Sequence, residues 1–342
     1  MSDNINRQWL LQSRPQGMVS EDNFKRVESP LLTPDFSQGE VLIKTLMLSF
    51  EPAMRGWMDD KPSYLPPAEL DEPMRAPGVG QVVVSKNPEL PVGTLVQGML
   101  GWQEYAVLGP NSLFPPNALP EGTPLSIALG VLGGTSLTAY FGLLRIGEPK
   151  AGDTVLVSGA AGATGSVVAQ IAKIKNCRVI GIAGGDAKCN WLRNELGLDG
   201  VIDYKNENVG DALKKLCPEG INVYFDNVGG EILESAMENA ADNARFVMCG
   251  AISSYNDAEP SPGPRNMFNV ITRRIKMQGF VMFDFMDEVE TAMGDLVQWL
   301  SDGQLQWKED IQSGFDNIPA TFGRLFDGSN EGKQLLSLAE PE

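Results

Sequence analysis

The sequence predicts an α/β protein with two domains, a β-barrel-like domain and a doubly wound parallel-sheet domain. At 342 residues the chain is too long for one typical domain. Residues 7–122 are β-rich and broken by Pro and Gly, whereas strand-like and helix-like segments alternate in the middle of the chain. We expect residues 1–124 with 312–342 to form the first domain and residues 125–311 the second.

The barrel-like domain is indicated by short strands bounded by turn residues. Residues 39–46 and 78–84 are two such strands, each beginning at a glycine. Near the end of the chain, residues 318–325 are typical of a short helix and residues 334–338 of a strand. We expect this last segment to fold back onto the first domain.

The parallel-sheet domain is indicated by six strand-like segments, most of them separated by helix-like stretches. Apolar strands such as VLV, VIGIA and FVMC suit a sheet that is buried on both faces. The six segments are residues 154–157, 178–182, 201–204, 223–227, 245–249 and 277–281.

The composition argues against several classes of partner. The net charge of −17 and scattered Lys and Arg argue against nucleic acid, because nucleic-acid binders usually carry a basic patch. No apolar run approaches the roughly 20 residues of a membrane span. The start, MSDNINRQW, lacks the features of a signal peptide, so we expect a cytoplasmic protein.

The chain contains no histidine, the usual general base and the commonest metal ligand. Its four cysteines show no paired short spacing that would suggest a zinc site or a disulfide framework. We therefore expect no metal, and we expect the chemistry to come from a cofactor.

A Gly-rich turn indicates where that cofactor binds. Strand 154–157 leads into the turn Ala160-Ala161-Gly162-Ala163-Thr164-Gly165, and residues 166–173 continue with helical periodicity. Small residues let the backbone approach a pyrophosphate, and the helix start offers free N–H groups. The first glycine of the usual G-x-G-x-x-G pattern is replaced by Ala160, and a tight turn that binds nothing is the alternative. The surrounding strands and helix favour a dinucleotide.

The end of the second strand favours NADP over NAD. NAD sites usually carry an acid there that bonds the ribose hydroxyls, but this strand ends in Gly184-Gly185. Lys188 follows at a position where a cation can pair with a 2′-phosphate. The alternative is that Lys188 is only a surface residue on the first turn of a solvated helix. Tyr204, at the end of the third strand, either adds a hydroxyl to that phosphate or is a half-buried strand-end aromatic.

Two further residues lie at the ends of the fourth and fifth strands. Asn227 can offer an amide to the cofactor, and Gly250 permits close backbone contact with it. Each alone is also an ordinary turn residue. Their shared place at the carboxyl ends of the strands favours a role in binding.

Long stretches of this sequence resemble one family. These are AAGATGSVVAQIAKIKNCRVIGIAGGDAKC, GVIDYKNE, YFDNVGGEIL and CGAISSYN, with LSFEPAMRGWM near the start and GSNEGKQLL near the end. They resemble the medium-chain dehydrogenase/reductase superfamily, and within it the prostaglandin reductase and leukotriene B4 12-hydroxydehydrogenase family, which includes bacterial NADPH-dependent curcumin reductases.

The resemblance implies a GroES-like barrel domain and a Rossmann domain with the active site between them, a homodimer, and no catalytic zinc. It implies that Gly162, Ala163, Thr164 and Gly165 hold the pyrophosphate and that Lys188 and Tyr204 hold the 2′-phosphate. It places Asn227 at the nicotinamide-side ribose. The remaining residues that it implies to line the cofactor are Cys249, Gly250, Ala251, Ile252, Ser253, Ser254, Tyr255, Phe280, Val281, Met282 and Asn330.

The sequence departs from the family pattern in the expected substrate pocket. Glu51-Pro52-Ala53 stands where the family has Asp-Pro-Tyr, so an aromatic residue is missing. Tyr64 resembles a pocket tyrosine of the curcumin reductases, although packing within its loop is an equal alternative.

The resulting hypothesis is NADPH-dependent reduction of the C=C bond of α,β-unsaturated ketones or aldehydes, with hydride delivered to the β-carbon. Tyr255 is the candidate donor to the developing enolate oxygen, or else it only packs against the nicotinamide. A quinone reductase and a non-catalytic NADPH-binding protein are the alternatives.

Overall fold

The computed structural model describes residues 4–259 and 261–342. The chain divides into two compact units. The first unit runs to Gly130 and resumes at Glu309–Glu342, and the second unit is Val131–Lys308. The sequence predicts these boundaries at residues 124/125 and 311/312.

The strands of the described residues are, in chain order, β1 (Ile5–Leu11), β2 (Phe24–Pro30), β3 (Val41–Ser49), β4 (Pro77–Val84), β5 (Leu95–Met99), β6 (Tyr105–Leu108), β7 (Asn117–Ala118), β8 (Thr154–Val157), β9 (Arg178–Ala183), β10 (Gly200–Asp203), β11 (Ile221–Asp226), β12 (Ala240–Met248), β13 (Lys276–Gly279), β14 (Glu309–Ser313) and β15 (Lys333–Ser337).

The α-helices are α1 (Ala53–Trp57), α2 (Leu125–Leu129), α3 (Gly134–Phe141), α4 (Ala163–Ile174), α5 (Asp186–Asn194), α6 (Val209–Leu216), α7 (Gly230–Glu238), α8 (Phe268–Thr272), α9 (Val289–Ser301) and α10 (Ile318–Asp327). Short 3₁₀ helices lie at Glu21–Asn23, Phe36–Gln38, Met282–Glu288 and Phe315–Asn317, and a π-helix lies at Gly142–Gly147. No helix of the described residues is long and apolar enough to cross a membrane.

The first unit contains a seven-stranded sheet in the order β14-β15-β3-β4-β5-β7, with β6 paired to β3. Strands β1 and β2 form a separate antiparallel pair. The C-terminal strand β15 pairs antiparallel with β3, with Leu336 opposite Leu48. An aromatic cluster fills part of this core, with the ring of Trp102 5.7 Å from Phe322 and 6.0 Å from Phe50.

The second unit contains six parallel strands in the order β10-β9-β8-β11-β12-β13. In domain numbering this is the order 3-2-1-4-5-6 of the doubly wound dinucleotide-binding fold. Along β8, Val155 and Val157 pack into one core while Leu156 packs into the other, because successive side chains of a strand point to opposite faces. The predicted α/β class, with a β domain and a doubly wound parallel sheet, is confirmed.

The predicted strands differ from the observed ones mainly at their ends. Strand β8 has the predicted bounds, whereas β12 begins at Ala240 rather than at residue 245. Exposed Asp242 and Asn243, the latter with a φ of 60°, interrupt the apolar pattern of β12. The sequence therefore does not predict the first half of this strand. The sequence pattern does not predict strand β14, because its residues, EDIQS, are mostly polar.

Candidate functional site

The turn between β8 and α4 is shaped to receive an anion. The N–H of Ala160 donates to the carbonyl of Ile182 at 2.9 Å, and the N–H of Gly162 donates to that of Gly159 at 2.9 Å. Gly162 is the N-cap of α4, and no side chain in the described part of the chain caps this helix. The first N–H groups of a helix have no partner within the helix, so those of Ala163 and Thr164 are available to a phosphate.

Gly165 brings the start of α4 against the turn. A Cβ at this position would overlap the carbonyl oxygen of Gly159 and lie 2.9 Å from Cα of Ala160. The left-handed residue of the turn is Gly159, with a φ of 59°. Ala160 can therefore replace the first glycine of the usual pattern, because the position that requires positive φ lies one residue earlier.

The ends of β9 and β10 form a second part of the site. A Cβ at Gly184 would lie 2.7 Å from Cε1 of Tyr204, so the tyrosine ring rests against this glycine. Tyr204 remains 48% exposed. Lys188 is half-buried on the first turn of α5, directly after Gly185. The structure therefore brings Gly184 and Tyr204 together beside the helix that carries Lys188.

The neighbouring ends of β8 and β11 mark the point where the strand order reverses, and they are joined through Asp226. Its Oδ1 atom accepts from Ser158 Oγ at 3.0 Å, from the Tyr224 hydroxyl at 2.7 Å, and from the N–H groups of Val228 and Gly229 at 2.9 and 2.8 Å. Its Oδ2 atom is buried and has no hydrogen-bond partner among the described residues. Burial and the adjoining Asp226 raise the pKa of Tyr224 well above its ordinary value.

Asn227 is held at this same point. Its Nδ2 donates to the Ser158 carbonyl at 2.7 Å, and its N–H donates to Ser158 Oγ at 2.9 Å. The side chain thus spans the ends of β8 and β11. Ligands of open α/β sheets bind outside the carboxyl ends of the strands at such a point.

The segment from Cys249 to Ser254, which follows β12, lies on the β11 turn. The N–H groups of Cys249 and Gly250 donate to the Asp226 carbonyl at 2.9 and 3.0 Å. The N–H of Ile252 donates to the Asn227 carbonyl at 3.2 Å, and Ser253 Oγ donates to that of Val228 at 2.5 Å. Desolvation, with a smaller effect of Asp226, raises the pKa of Cys249 to about 12. This thiol therefore stays protonated near neutral pH.

Tyr255 folds back over the same segment. Its hydroxyl accepts a hydrogen bond from the Ala251 N–H at 3.1 Å. A Cβ at Gly250 would lie 2.9 Å from that hydroxyl, so the glycine permits this close approach. Ser254 Oγ donates to the Ala251 carbonyl at 3.0 Å. The backbone of the loop thereby fixes the position of the tyrosine hydroxyl.

Residues 280–282 follow β13 at the same edge of the sheet. The Phe280 ring packs into the core, 6.4 Å from the Phe225 ring. The N–H of Val281 donates to Asp284 Oδ2 at 3.1 Å, and a Cβ at Gly134 would lie 3.9 Å from the Met282 sulfur. Phe280 can therefore offer a cofactor its backbone rather than its ring.

Two predicted site residues belong to the first unit. The Tyr64 hydroxyl accepts from Trp57 Nε1 at 3.0 Å, and the side chain is 49% exposed. Asn330 Nδ2 donates to the Gly332 carbonyl at 3.1 Å. Ala53 is half-buried at the start of α1.

Sequence reasoning missed three residues that organise the site, namely Ser158, Asp203 and Asp226. Each is a polar residue at or directly after the end of a buried strand, and each is itself buried. A buried polar group needs hydrogen-bond partners, so this position in the pattern was the available signal.

No group of three or more His, Cys, Asp or Glu side chains suited to a metal ion occurs within residues 4–259 and 261–342. All four cysteines are free thiols.

Two family descriptions match the chain. "N-terminal domain of oxidoreductase" matches residues 7–115, and "Zinc-binding dehydrogenase" matches residues 163–299. The second description names zinc, although the chain contains no histidine.

Three relatives match over nearly their whole length. A putative NADP-dependent oxidoreductase of Bacillus subtilis is 45% identical, with 98% of each chain covered. The NADPH-dependent curcumin reductase of Escherichia coli is 39% identical over 98% of this chain and 97% of its own. A 2-alkenal reductase (NADP(+)-dependent) of Nicotiana tabacum is 36% identical, with 98% of each covered.

A solved structure agrees with these matches. The crystal structure of CurA in complex with NADPH from Vibrio vulnificus has 41% sequence identity and a TM-score of 0.91. The match covers 98% of this chain and 100% of that chain.

Proposed function

We propose that this chain, which belongs to the prostaglandin reductase and curcumin reductase family of the medium-chain dehydrogenase/reductase superfamily, reduces the C=C bond of α,β-unsaturated ketones and aldehydes. It is an NADP-dependent oxidoreductase. Membership in a family of named reductases favours an enzyme over a non-catalytic NADPH-binding protein. The choice of an enone is our proposal, and the 2-alkenal reductase among its relatives supports it.

The residues of the second unit fit the cofactor. The uncapped start of α4, at Gly162–Gly165, would hold the pyrophosphate, and a Cβ at Gly165 would distort the turn that receives it. Lys188 and Tyr204 would hold the 2′-phosphate, because a cation and a hydroxyl lie where an NAD site carries an exposed acid.

The rest of the cofactor would extend toward Asn227. We assign the nicotinamide half to this residue, to the loop Cys249–Tyr255 and to the backbone of residues 280–282, all at the carboxyl edge of one sheet. Asn330 is our candidate contact from the first unit, and its assignment rests on the family motif G-x-N-x-G-K.

When bound, NADPH supplies the hydride that adds to the β-carbon of the enone. The negative charge then develops on the carbonyl oxygen of the substrate, where a preorganised donor is most effective. We assign this donor role to Tyr255. Its hydroxyl oxygen accepts from the Ala251 N–H at 3.1 Å, and such a bond polarises the O–H as a donor. This fixed hydroxyl is the observation that carries the proposal.

Turnover of a Tyr255→Phe variant tests the role. We expect kcat with an aliphatic enone to fall about 10²–10³-fold, as for the loss of one oxyanion donor, while the Kd for NADPH changes little. Tyr140→Phe is a matched control, since it removes a hydroxyl that donates to Asp295 in the same unit. Unchanged turnover of the Tyr255→Phe variant would leave Tyr255 as a packing residue beside the nicotinamide.

The same assay with a simple quinone tests the competing activity. NADPH and NADH oxidation should be followed against enones of several lengths and against the quinone, with products identified by mass. Consumption of the quinone but of no enone would overturn the proposal and make the chain a quinone reductase.

We further propose that Tyr64 contacts the substrate. The Trp57 indole holds its hydroxyl, and nearly half of the side chain is exposed. Ala53 leaves room where the family pattern has a tyrosine. Tyr64→Phe should raise KM for some enones without changing the Kd for NADPH, and an unchanged KM for every enone would contradict this role.

We propose a homodimer as the assembly and the cytoplasm as the location. The exposed side chains of Phe268 and Ile271 on α8, 71% and 70% exposed, support a second copy as partner, as does edge strand β13. Four free thiols suit a reducing compartment. Sedimentation equilibrium tests the homodimer, and a mass of 37.0 kDa, that of the monomer, would contradict it. Cell fractionation tests the cytoplasmic location.

A further inference from the structure

One buried carboxylate connects the two turns that form the 2′-phosphate subsite. Asp203 is the last residue of β10 and is 5% exposed. Its Oδ1 accepts from the Gly185 N–H at 2.9 Å and from the Lys205 N–H at 3.0 Å. Its Oδ2 accepts from Asn206 Nδ2 at 2.8 Å. The side chain therefore joins the turn after β9 to the turn after β10.

Both of these turns carry the groups that would meet the phosphate. A Cβ at Gly184 would touch the Tyr204 ring and lie 3.0 Å from Cε of Lys205. Gly185 is the N-cap of α5, the helix that carries Lys188 on its first turn, and its φ is 89°. The position of one turn relative to the other depends on the contacts that hold the backbones of Gly185 and Lys205.

The Asp203 carboxylate differs from the strand-end acid of an NAD site. That acid points outward and accepts from ribose hydroxyls. Here both oxygens already accept from N–H groups of the chain, and the hydrogen bond from the Gly185 N–H is the first cause of the lowered pKa of Asp203. Its negative charge is thus stabilised within the turns.

We propose that Asp203 is the positioning residue of the 2′-phosphate subsite. By holding the N–H groups of Gly185 and Lys205, it keeps the first turn of α5 and the Tyr204–Lys205 turn at the spacing that a phosphate requires. Asp203 itself does not contact the phosphate. The inference rests on the proposed cofactor site.

Calorimetric titration of the full-length chain with 2′,5′-ADP and with 5′-AMP tests this role, because the two probes differ only in the 2′-phosphate. For Asp203→Ala we expect binding of 2′,5′-ADP to weaken about tenfold or more, since two N–H groups lose their shared acceptor. Binding of 5′-AMP should change less than about twofold. Asp203→Asn should restore most of the loss, because its carbonyl oxygen can accept from the same two groups.

The matched control is Asp199→Ala, directly before the first residue of β10. The Asp199 Oδ2 also accepts a backbone N–H, that of Val179, at 2.8 Å. Loss of this bond should leave the ratio of the two dissociation constants unchanged. Asp203→Ser gives a second variant with a polar group in place, should the alanine variant unfold; it should also weaken 2′,5′-ADP selectively, because its shorter side chain cannot reach both N–H groups.

Three results would overturn the inference. An unchanged ratio in every Asp203 variant would show that the carboxylate positions nothing, and equal weakening of both probes would show a general structural role. Tighter binding of 2′,5′-ADP by Asp203→Asn would show that the carboxylate mainly repels the phosphate. A wild-type chain that does not prefer 2′,5′-ADP over 5′-AMP would instead refute the proposed cofactor site itself.

Discussion

Replacement of Gly165 by alanine tests the central feature of the cofactor site. The added Cβ would overlap the carbonyl oxygen of Gly159 and lie 2.9 Å from Cα of Ala160. Both are backbone atoms of the turn, so no side chain can rotate away to make room. The turn and the start of α4 must move apart.

The magnitude follows from two opposing effects. Alanine is favoured over glycine within a helix by about 1 kcal/mol. Overpacking of a close contact costs about 1–3 kcal/mol. We expect the free energy of unfolding to fall by up to about 2 kcal/mol, which lowers Tm by up to roughly 8 °C for a unit of this size. Displacement of the N–H groups should weaken NADPH binding about tenfold, or about 1.4 kcal/mol.

Gly294→Ala is the matched control. Gly294 lies within α9 of the same unit, and apart from its chain neighbours and the adjacent backbone of α9, no atom of the described residues lies within 4 Å of its added Cβ. The same substitution should raise Tm by a few degrees there, on the order of 1 kcal/mol, and leave NADPH binding unchanged.

Differential scanning fluorimetry and NADPH titration measure both effects. The two variants should shift Tm in opposite directions. If Gly165→Ala stabilised the protein as Gly294→Ala does and bound NADPH with wild-type affinity, the close contact in the turn would have no role.

Three further predictions concern other parts of the second unit. Lys188→Ala should raise KM for NADPH about tenfold or more with little effect on NADH, whereas exposed Lys214→Ala should change neither; equal KM changes for both cofactors would contradict its role. Asp226→Ala should lower the free energy of unfolding in urea by about 3 kcal/mol or more, because four donors lose their acceptor, and a loss below about 1 kcal/mol would refute this. Burial raises the pKa of Cys177 from 9.0 to about 11, so the protonated thiol makes its full contribution to the free energy of unfolding below pH 9 and loses it as the pH rises through 11. In chemical unfolding, the free energy of unfolding of the Cys177→Ala variant should fall less over this pH range.

The cofactor-binding half of the site was predictable because its signals are local. Strand β8, the glycines and α4 follow one another within 21 residues, counted from Thr154 to Ile174, and each has a local reason for its residue type. Apolar alternation and glycine spacing respond to backbone geometry. The strand-end pair Gly184-Gly185 and the nearby Lys188 extended this to the NADP preference.

The local pattern places Asp226 and Asp203 at the ends of buried strands, but it does not reveal the distant turns that they hold. Asp226 receives hydrogen bonds from Ser158, 68 residues earlier, and Asp203 receives one from Gly185, 18 residues earlier. Strand neighbours in a parallel sheet are set by crossover connections, so no local pattern reveals which polar side chain meets which turn.

The sequence by itself determined the α/β class, the Gly-rich turn and the places of Lys188, Tyr204 and Asn227, because these depend on short-range periodicity and residue type. Only the tertiary structure decided that β15 pairs with β3, that the Phe280 ring packs into the core, and that the Tyr255 hydroxyl lies over Gly250. These contacts join segments through packing and hydrogen bonds whose partners become neighbours only when the chain has folded.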